Sequence, residues 1–318
     1  MTKETSEAVR PLAEDPSHRR LVSPTRSVRH ENLRAAGFMI GAVLSFSLMD
    51  AGIKTLSTHY PALQVTAIRG LSSLPIILIW VGFRGGYRQL IPVRYSLHLI
   101  RAVLGIIMLS SFTWALRHLP LSEAYAIFFT APLLITALAV PILGEHVSGS
   151  RWVAIVIGLV GAMILLRPTG TGVLTLAGLA VTVTAIGYAL SAIIVRVLGR
   201  SDTIESMIFW LMAMMGGGAA VLALPVWRPI LASHWLVIAG IALSGSLGQW
   251  GVTEAFSRGQ ASFVAPFEYT ALAWGVGLDW FLWQSLPGAM TFVGAAIIIA
   301  SGVYLIRHEK VPLNVEHP

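Results

Sequence analysis

An apolar stretch of about twenty residues between Leu121 and Glu145 constrains this chain more than any other feature. The stretch opens with polar residues, contains Pro132, and stops at Gly144-Glu145. An α-helix of that length can cross the roughly 30 Å hydrocarbon core of a bilayer. We therefore predict a membrane-spanning helix here, and we interpret Glu145 as a contact at its end, with Arg151 as the partner.

A second version of this stretch lies 140 residues further along, at 261–285. The correspondence continues into the segment that follows each version. The first and sixth of the predicted helices given below, 35–57 and 173–197, also correspond in sequence, but more weakly. This pattern predicts a duplicated unit organised around two equivalent helices. The matched positions are Ser122 with Ser262, Thr130-Ala131 with Thr270-Ala271, and Arg167 with Arg307.

The composition places the chain in a membrane. Hydrophobic residues make up 55% and charged residues 12%, with a mean hydropathy of +0.74, whereas a soluble domain carries about 25% charge. The pI near 10.1 would suit a nucleic-acid partner, but the charges fall between apolar runs as loop charges. The absence of cysteine excludes disulfides and thiolate metal sites.

Ten apolar segments have about the length of a spanning helix. Their connections are short, so neighbouring helices should be antiparallel. The predicted spans are 35–57, 61–83, 96–116, 121–143, 151–167, 173–197, 205–227, 234–256, 261–283 and 288–306.

The distribution of positive charge predicts the orientation. With the N-terminus inside, sixteen of the 22 Lys and Arg residues fall at the inner ends of the segments and three at the outer ends. Cytoplasmic loops carry such an excess. We therefore predict an all-α integral membrane protein with ten transmembrane helices and both termini in the cytosol.

The repeat divides the ten helices into two sets of five. Because five is odd, the second copy should enter the membrane upside down, and inverted repeats build secondary transporters with a binding site near the midplane. The predicted units are a first repeat at 35–168 and a second at 173–307. Residues 1–34, which are polar and proline-containing, are predicted to be a disordered cytosolic tail, and 308–318 a second tail.

Small residues recur inside the predicted helices. Gly240, Ser244 and Gly248 are spaced by four, and Gly216 begins a run of three glycines. In lipid, small residues allow helices to approach closely. We interpret both groups as packing positions, with a hinge at the three glycines as the alternative.

Several motifs together resemble the EamA type of the drug/metabolite transporter superfamily, over about residues 33–310. Such a resemblance implies ten helices, a central cavity and movement of small metabolites or amino-acid-like solutes, mostly outward. One departure is Gln284-Ser285, where the family usually ends helix 9 in Gly-Glu. The motifs are LPLSEAYAIFFTAPLL…LGE (119–145), RW…GLVGAMILLRP (151–168), APFEYTALAW (265–274), SGVYLIR (301–307), and MDAGIKTL (49–56) with QVTAIRG (64–70).

Charged residues inside the apolar segments need a reason, since each costs several kcal/mol in lipid. Asp50 and Lys54 are four residues apart and can pair as a packing contact or form part of a gate or cavity wall. Arg69 lies deeper and could serve an anionic group of a substrate. Arg101 could instead extend its side chain to the inner surface.

Glu268 is the acid with the most specific setting. Pro266 predicts a locally broken helix there, which is tolerated where it faces protein or water. Glu268 shares a helical stripe with Asp279. A buried carboxyl group favours its neutral form, so Glu268 could bind and release a proton, or it could be a satisfied structural acid. Glu254 is a similar candidate nearer the cytosolic end.

Aromatic side chains accompany these acids. Facing inward, they would suit a flat or amphipathic solute or a cation held on ring faces. Facing outward, they would be lipid or interface contacts. The candidates are Tyr125, Phe129, Tyr188, Trp250, Tyr269 and Trp274.

The sequence lacks the motifs of a membrane enzyme, including HExxH, GxSxG and GxxxxGK. We predict a secondary transporter of the bacterial inner membrane that moves a small metabolite, such as an amino-acid-like, flavin-like or nucleoside-like solute, mainly outward. Uptake of a vitamin or metabolite such as riboflavin or S-adenosylmethionine is the alternative. Helices 1, 3, 4, 6, 8 and 9 should line the cavity. No cofactor, metal or nucleic acid is expected, and a monomer is compatible with the sequence.

Overall fold

The structure, a computed structural model, describes residues 24–118, 124, 127–166, 175–271, 274 and 289–308. All regular structure in these residues is helical. Short 3₁₀ turns lie at 87–90, 224–226 and 232–234, and a longer one at Ala265–Tyr269. The α-helices are α1 Pro24–Ser57, α2 Ala62–Arg84, α3 Tyr95–Ala115, α4 Ala131–Leu143, α5 Gly149–Leu166, α6 Leu176–Leu198, α7 Ile204–Ala223, α8 Trp235–Arg258, α9 Ala261–Val264 and α10 Ala289–His308.

Among the described residues, six helices are long and apolar enough to cross a membrane, judged by length and composition. Helix α4 and the apolar part of α5 are shorter. The prediction of an all-helical membrane protein is confirmed at this level. The first helix begins at Pro24, so residues 24–34 are helical and the predicted tail was too long. The six spans are His30–Ser57, Ala62–Phe83, Tyr95–Ala115, Leu176–Leu198, Ile204–Val226 and Ala232–Arg258.

The main helix pairs each take one helix from either half of the chain. Helix α1 packs along α8, α2 along α7, α3 along α6, and α5 along α10. The hydrophobic core therefore lies between the halves, and it brings α1, α6, α8 and α9 together in one buried cluster. Helix α1 comes from the first half, and α6, α8 and α9 come from the second.

Helices α2 and α7 meet through glycine. A Cβ atom added to Gly70 would lie 2.5 Å from the Cα of Gly216, and one added to Gly216 would lie 2.8 Å from the backbone nitrogen of Leu71. Gly248 makes a similar approach to the ring of Phe46, at 2.6 Å. The packing role predicted for Gly216 and Gly248 is confirmed, whereas no atom lies within 4 Å of a Cβ added to Gly240.

Replacing Gly216 with valine should therefore destabilise the protein by about 1–3 kcal/mol, because backbone rather than a flexible side chain occupies the space. Gly217 is a matched control, since no atom lies within 4 Å of a Cβ added there. The measurement is the thermal unfolding midpoint in detergent. Equal midpoints for the Gly216→Val and Gly217→Val variants would contradict close packing at Gly216.

The two halves contain the same helix break, 140 residues apart. Thr130 donates its hydroxyl to the carbonyl of Ile127 at 2.8 Å, and Thr270 donates to the carbonyl of Phe267 at 2.7 Å. The break predicted near Pro266 is confirmed as the 3₁₀ turn 265–269. The continuous helix predicted over 121–143 was wrong, because residues 129–130 form a turn before α4. A proline shortly after that turn, Pro132, cannot donate a backbone hydrogen bond.

Loops from both halves also join at each end of the bundle. At the end carrying residues 85–94, Asp202 accepts hydrogen bonds from the backbone N–H of Val93 at 2.8 Å and bonds the imidazole of His98 at 3.0 Å. At the opposite end, the Gln64 amide both donates to and accepts from the backbone of Arg228, at 2.6 and 2.9 Å. Each end is thus closed by one side chain that satisfies the backbone of a distant loop.

Asp202 lies outside the spanning helices. Burial alone would raise the pKa of its carboxyl group, but the hydrogen bonds from His98, Val93 and Ser201 outweigh burial and lower the pKa below its usual 3.8. A carboxylate with a lowered pKa stabilises the folded state at pH above its unfolded pKa. That stabilisation is lost as the pH falls through the lowered value.

We expect Asp202→Asn to reduce stability near neutral pH by about 1–3 kcal/mol, since a charged acceptor of several hydrogen bonds is lost. The variant should also lose the component of acid sensitivity that appears below pH 3.8. Unfolding midpoints across pH measure both effects. Ser201→Ala, which removes one donor to the same carboxylate, should have a smaller effect. Identical acid profiles for Asp202→Asn and the wild type would contradict this role.

A third contact between the halves holds the start of α9. The carboxylate of Glu145 accepts the backbone N–H groups of Ala261 and Ser262, at 2.9 and 3.1 Å, and the Ser262 hydroxyl at 2.7 Å. The buried guanidinium of Arg151 donates to that hydroxyl at 2.6 Å and also to Gln260. Glu145 was predicted to be a helix-end contact. The helix it caps is α9, in the other half of the chain.

Candidate substrate site

A cavity of about 200 Å³ lies between the two halves. The six segments that were predicted to line the cavity, helices 1, 3, 4, 6, 8 and 9 of the sequence analysis, all contribute to its wall. The ninth segment, 261–283, contributes residues 268 and 271. Helices α2 and α7 add Arg69, Leu211 and Met215. Six of the twelve candidate residues line it. They are Asp50, Arg69, Arg101, Phe129, Tyr188 and Glu268.

The cavity wall follows helical stripes. On α3 the lining residues are Arg101, Gly105, Met108, Leu109 and Phe112, at spacings of four, three, one and three. Helix α6 has the same spacing from Thr184 to Val195. Side chains at these spacings share one face of a helix. Because α3 packs along α6, the two stripes form adjoining parts of the cavity wall.

Arg69 and Asp50 meet at one side of the cavity. The Arg69 side chain is buried, donates to the sulfur of Met49 at 2.9 Å, and lies over the ring of Phe46 at 5.7 Å. The negative charge of Asp50 acts on this guanidinium. Lys54, predicted as the partner of Asp50, is exposed in the last turn of α1. The structure thus places an arginine of α2 beside Asp50 at the cavity.

Arg101 does not extend to the surface, so that interpretation was wrong. Its side chain is 2% exposed and donates to the carbonyl of Met207 at 2.9 Å and to the hydroxyl of Ser191 at 3.4 Å. These acceptors come from α7 and α6. Together they hold the guanidinium at the cavity wall between three helices.

Glu268 is buried in the 3₁₀ turn that follows α9, with 4% of its surface exposed. Neither carboxylate oxygen has a hydrogen-bond partner among the described residues. The hydroxyl of Tyr188 lies within interaction range of the carboxyl group, although not in the geometry of an ordinary hydrogen bond. Asp279, the other acid of its predicted stripe, lies outside the described residues.

Glu254 and Trp250 do not line the cavity. The carboxylate of Glu254 is buried and pairs with Arg258 in the last turn of α8. The Trp250 ring packs edge-on against Phe38 and Trp80, with centroid distances of 5.3 and 6.4 Å. The structure places both residues in helix packing rather than at the cavity.

Tyr269 and Trp274 hold the backbone near the cavity. The Tyr269 hydroxyl donates to the carbonyl of Phe129 at 3.0 Å, which joins the two helix breaks. The indole of Trp274 donates to the carbonyl of Ile40 at 3.2 Å. Tyr125 lies outside the described residues.

Sequence reasoning missed part of the aromatic wall. The missed rings are Phe46, Phe112 and Phe256. A signal was available, because Phe46 lies one turn before Asp50, and Phe112 continues the stripe that starts at Arg101. With Phe128, Phe129 and Tyr188, these rings line the same cavity as the charged groups. Such a cavity can hold an aromatic or amphipathic solute with a polar group.

Within the described ranges, no group of three or more His, Asp or Glu side chains is placed to hold a metal ion. An apolar helical bundle around a central cavity with apolar and charged lining residues is the architecture of a membrane carrier. The match to a family model gives the same class. The EamA-like transporter family matches this chain twice, at residues 33–167 and 175–307. The chain belongs to that family.

Related proteins include transporters with different solutes. The chain is 29% identical to a riboflavin transporter of Vibrio cholerae, over 89% of this chain and 96% of the relative. It is 28% identical to an S-adenosylmethionine uptake transporter of Rickettsia felis (90% and 96%). It is also 24% identical to the pseudopaline exporter CntI of Pseudomonas aeruginosa (88% and 99%).

A crystal structure of another protein has the same fold. It superposes with a TM-score of 0.71 at 19% identity, and it covers 86% of this chain and 98% of the other. Together the comparisons identify a small-metabolite transporter of a multi-pass membrane type, and not an enzyme.

Proposed function

We propose that this protein is a secondary transporter of the bacterial inner membrane that binds one small metabolite in the central cavity and exposes it alternately to either side. The observation that carries the proposal is the position of the cavity, whose wall takes residues from both halves of the chain. A site between two halves changes its access when one half moves against the other.

Two features support inverted repeats as the basis of that movement. The helix breaks at Thr130 and Thr270 use the same hydrogen bond in equivalent positions. The helix pairs also fit an inverted pseudo-twofold relation, because exchanging the halves turns the α1–α8 pair into the α6–α3 pair and leaves α2–α7 and α5–α10 unchanged. Five helices per copy then give the opposite orientation of the second copy.

The wall of the cavity favours a solute with an aromatic part. The rings include Phe46, Phe112, Phe128 and Phe256, and aromatic faces bind flat solutes by stacking. We propose export as the main direction and proton coupling through Glu268. Uptake of a flavin-like or S-adenosylmethionine-like solute is the second candidate. The riboflavin transporter favours the first solute, and the S-adenosylmethionine uptake transporter favours both the second solute and the direction.

Flux through purified protein in sealed proteoliposomes tests the proposal. Radiolabelled solutes of each class are tested in counterflow. At least one should cross saturably, chemically unchanged and much faster than in protein-free vesicles. Comparing flux with and without an imposed proton gradient separates coupled transport from facilitated diffusion. Chemical conversion of the label, or no saturable flux for any solute class, would contradict a transporter with this site.

A further inference from the structure

The cavity has two acidic and two arginine side chains, but they are not all paired with one another. Asp50, Arg69, Arg101 and Glu268 all border it. Asp50 and Arg69 are oppositely charged and interact. Arg101 forms no ion pair with any residue in the described part of the chain, and both of its hydrogen-bond acceptors are uncharged.

Two hydrogen bonds hold the guanidinium of Arg101 in position. The Met207 carbonyl takes one of its N–H groups and the Ser191 hydroxyl takes another. A guanidinium group has five such donors, so donors remain at the cavity wall after these two bonds. The side chain is 2% exposed, which leaves it little contact with solvent.

A buried positive charge without a counter-ion is unfavourable by several kcal/mol. Arginine does not escape this by losing its proton, because its guanidinium stays charged in proteins. Such a group gains most from an anion that enters its site, since the pair then forms away from water and with fixed geometry.

An aromatic cluster adjoins this charge. The Phe128 ring packs against Tyr188 at 5.4 Å and against Phe112 at 6.1 Å, between ring centroids. Tyr188 is one turn before Ser191 on α6, and Phe112 is about three turns after Arg101 on the same face of α3. An anion bound at Arg101 would therefore carry any attached ring toward these aromatic side chains.

We infer that Arg101 binds the anionic group of the transported solute, and that the solute is a small aromatic or heteroaromatic molecule with a carboxylate or a phosphate. This inference rests on the proposed transport function and specifies its substrate class. Arg69 is less suited to this role because Asp50 already opposes its charge.

Matched probe pairs test the inference. Indole-3-acetate and indole-3-acetamide differ in one negative charge, and flavin mononucleotide and riboflavin differ in one phosphate. Binding to purified protein is measured by isothermal titration. The wild type should bind the anionic member of at least one pair about tenfold more tightly or better, as expected for one charge-assisted hydrogen-bonded pair.

The Arg101→Gln variant should lose that preference while keeping its affinity for the neutral member. Arg101→Lys keeps the charge without the planar fork and should retain part of the preference, and Ser191→Ala should weaken it less than Arg101→Gln. Arg34→Gln removes one exposed positive charge at the start of the chain and should change nothing. Unchanged affinity of Arg101→Gln for the neutral member shows that the variant is folded and that the lost preference is not caused by misfolding.

Failure of the inference is distinct from failure of the proposed function. Equal binding of both members of each pair by the wild type would overturn it, as would no saturable binding of any probe or an unchanged preference in Arg101→Gln. If proteoliposomes still transport a neutral or cationic solute in any of these cases, the proposed function stands and the substrate class is wrong. Absence of all transport would overturn both.

Discussion

Replacing Glu268 with glutamine is expected to abolish the pH dependence of transport. The side chain is buried at the cavity, and its carboxylate oxygens have no hydrogen-bond partner among the described residues. Glutamine has nearly the same shape but carries no titratable proton. Flux in proteoliposomes should then agree within about twofold between pH 6 and pH 8, whereas wild-type flux should vary with the protonation of a buried acid.

Glu31→Gln is the matched control, since Glu31 is a partly exposed acid near the start of α1. Its pH profile should follow the wild type. If Glu268→Gln retains the wild-type pH dependence, Glu268 is not the coupling group. If flux is lost at every pH, binding measurements on the same variant should show whether the solute site itself was damaged.

Replacing Glu145 with alanine is expected to have the largest effect on stability. The change removes the acceptor for two backbone N–H groups and one hydroxyl at the start of α9, where Ala261 and Ser262 are fully buried. Each buried donor left without a partner costs about 1–3 kcal/mol, so the loss from the two backbone N–H groups alone should be about 2–6 kcal/mol. Thermal unfolding in detergent measures this loss.

His146→Ala is a suitable control, because the neighbouring His146 is exposed. Glu145→Gln keeps one acceptor oxygen and should be intermediate. An unfolding midpoint for Glu145→Ala equal to that of His146→Ala would show that the cap of α9 contributes nothing. It would also mean that this contact between the two halves does not stabilise the folded protein.

The sequence was informative where one segment determines its own structure. Apolar length alone predicted the long helices, and Pro266 predicted the break before Tyr269. The 140-residue register correctly related the hydroxyls of Thr130 and Thr270, which make the same local hydrogen bond. Each of these features depends on residues within a few positions of one another.

Partners in other helices were not predictable in the same way. Spacing on α1 suggested Lys54 for Asp50, but the cavity places Asp50 near Arg69 of α2. Arg101 lies less than two turns from the start of α3. At that short distance its long side chain could have reached the inner membrane surface, which is why an extended side chain was predicted. Its actual direction depends on Met207 and Ser191, which reach it only after α3 has packed against α6 and α7.

The opposite orientation of the two copies is the central claim, and accessibility of single cysteines tests it most directly. The natural chain contains no cysteine, so Tyr87→Cys, Leu231→Cys and His317→Cys each introduce one reactive thiol. Tyr87 and Leu231 are exposed, at opposite ends of the bundle. In intact cells, a membrane-impermeant maleimide should label position 231 alone, and positions 87 and 317 should react only after the membrane is opened. Labelling that placed 87 and 317 on different sides of the membrane would contradict two inverted five-helix copies.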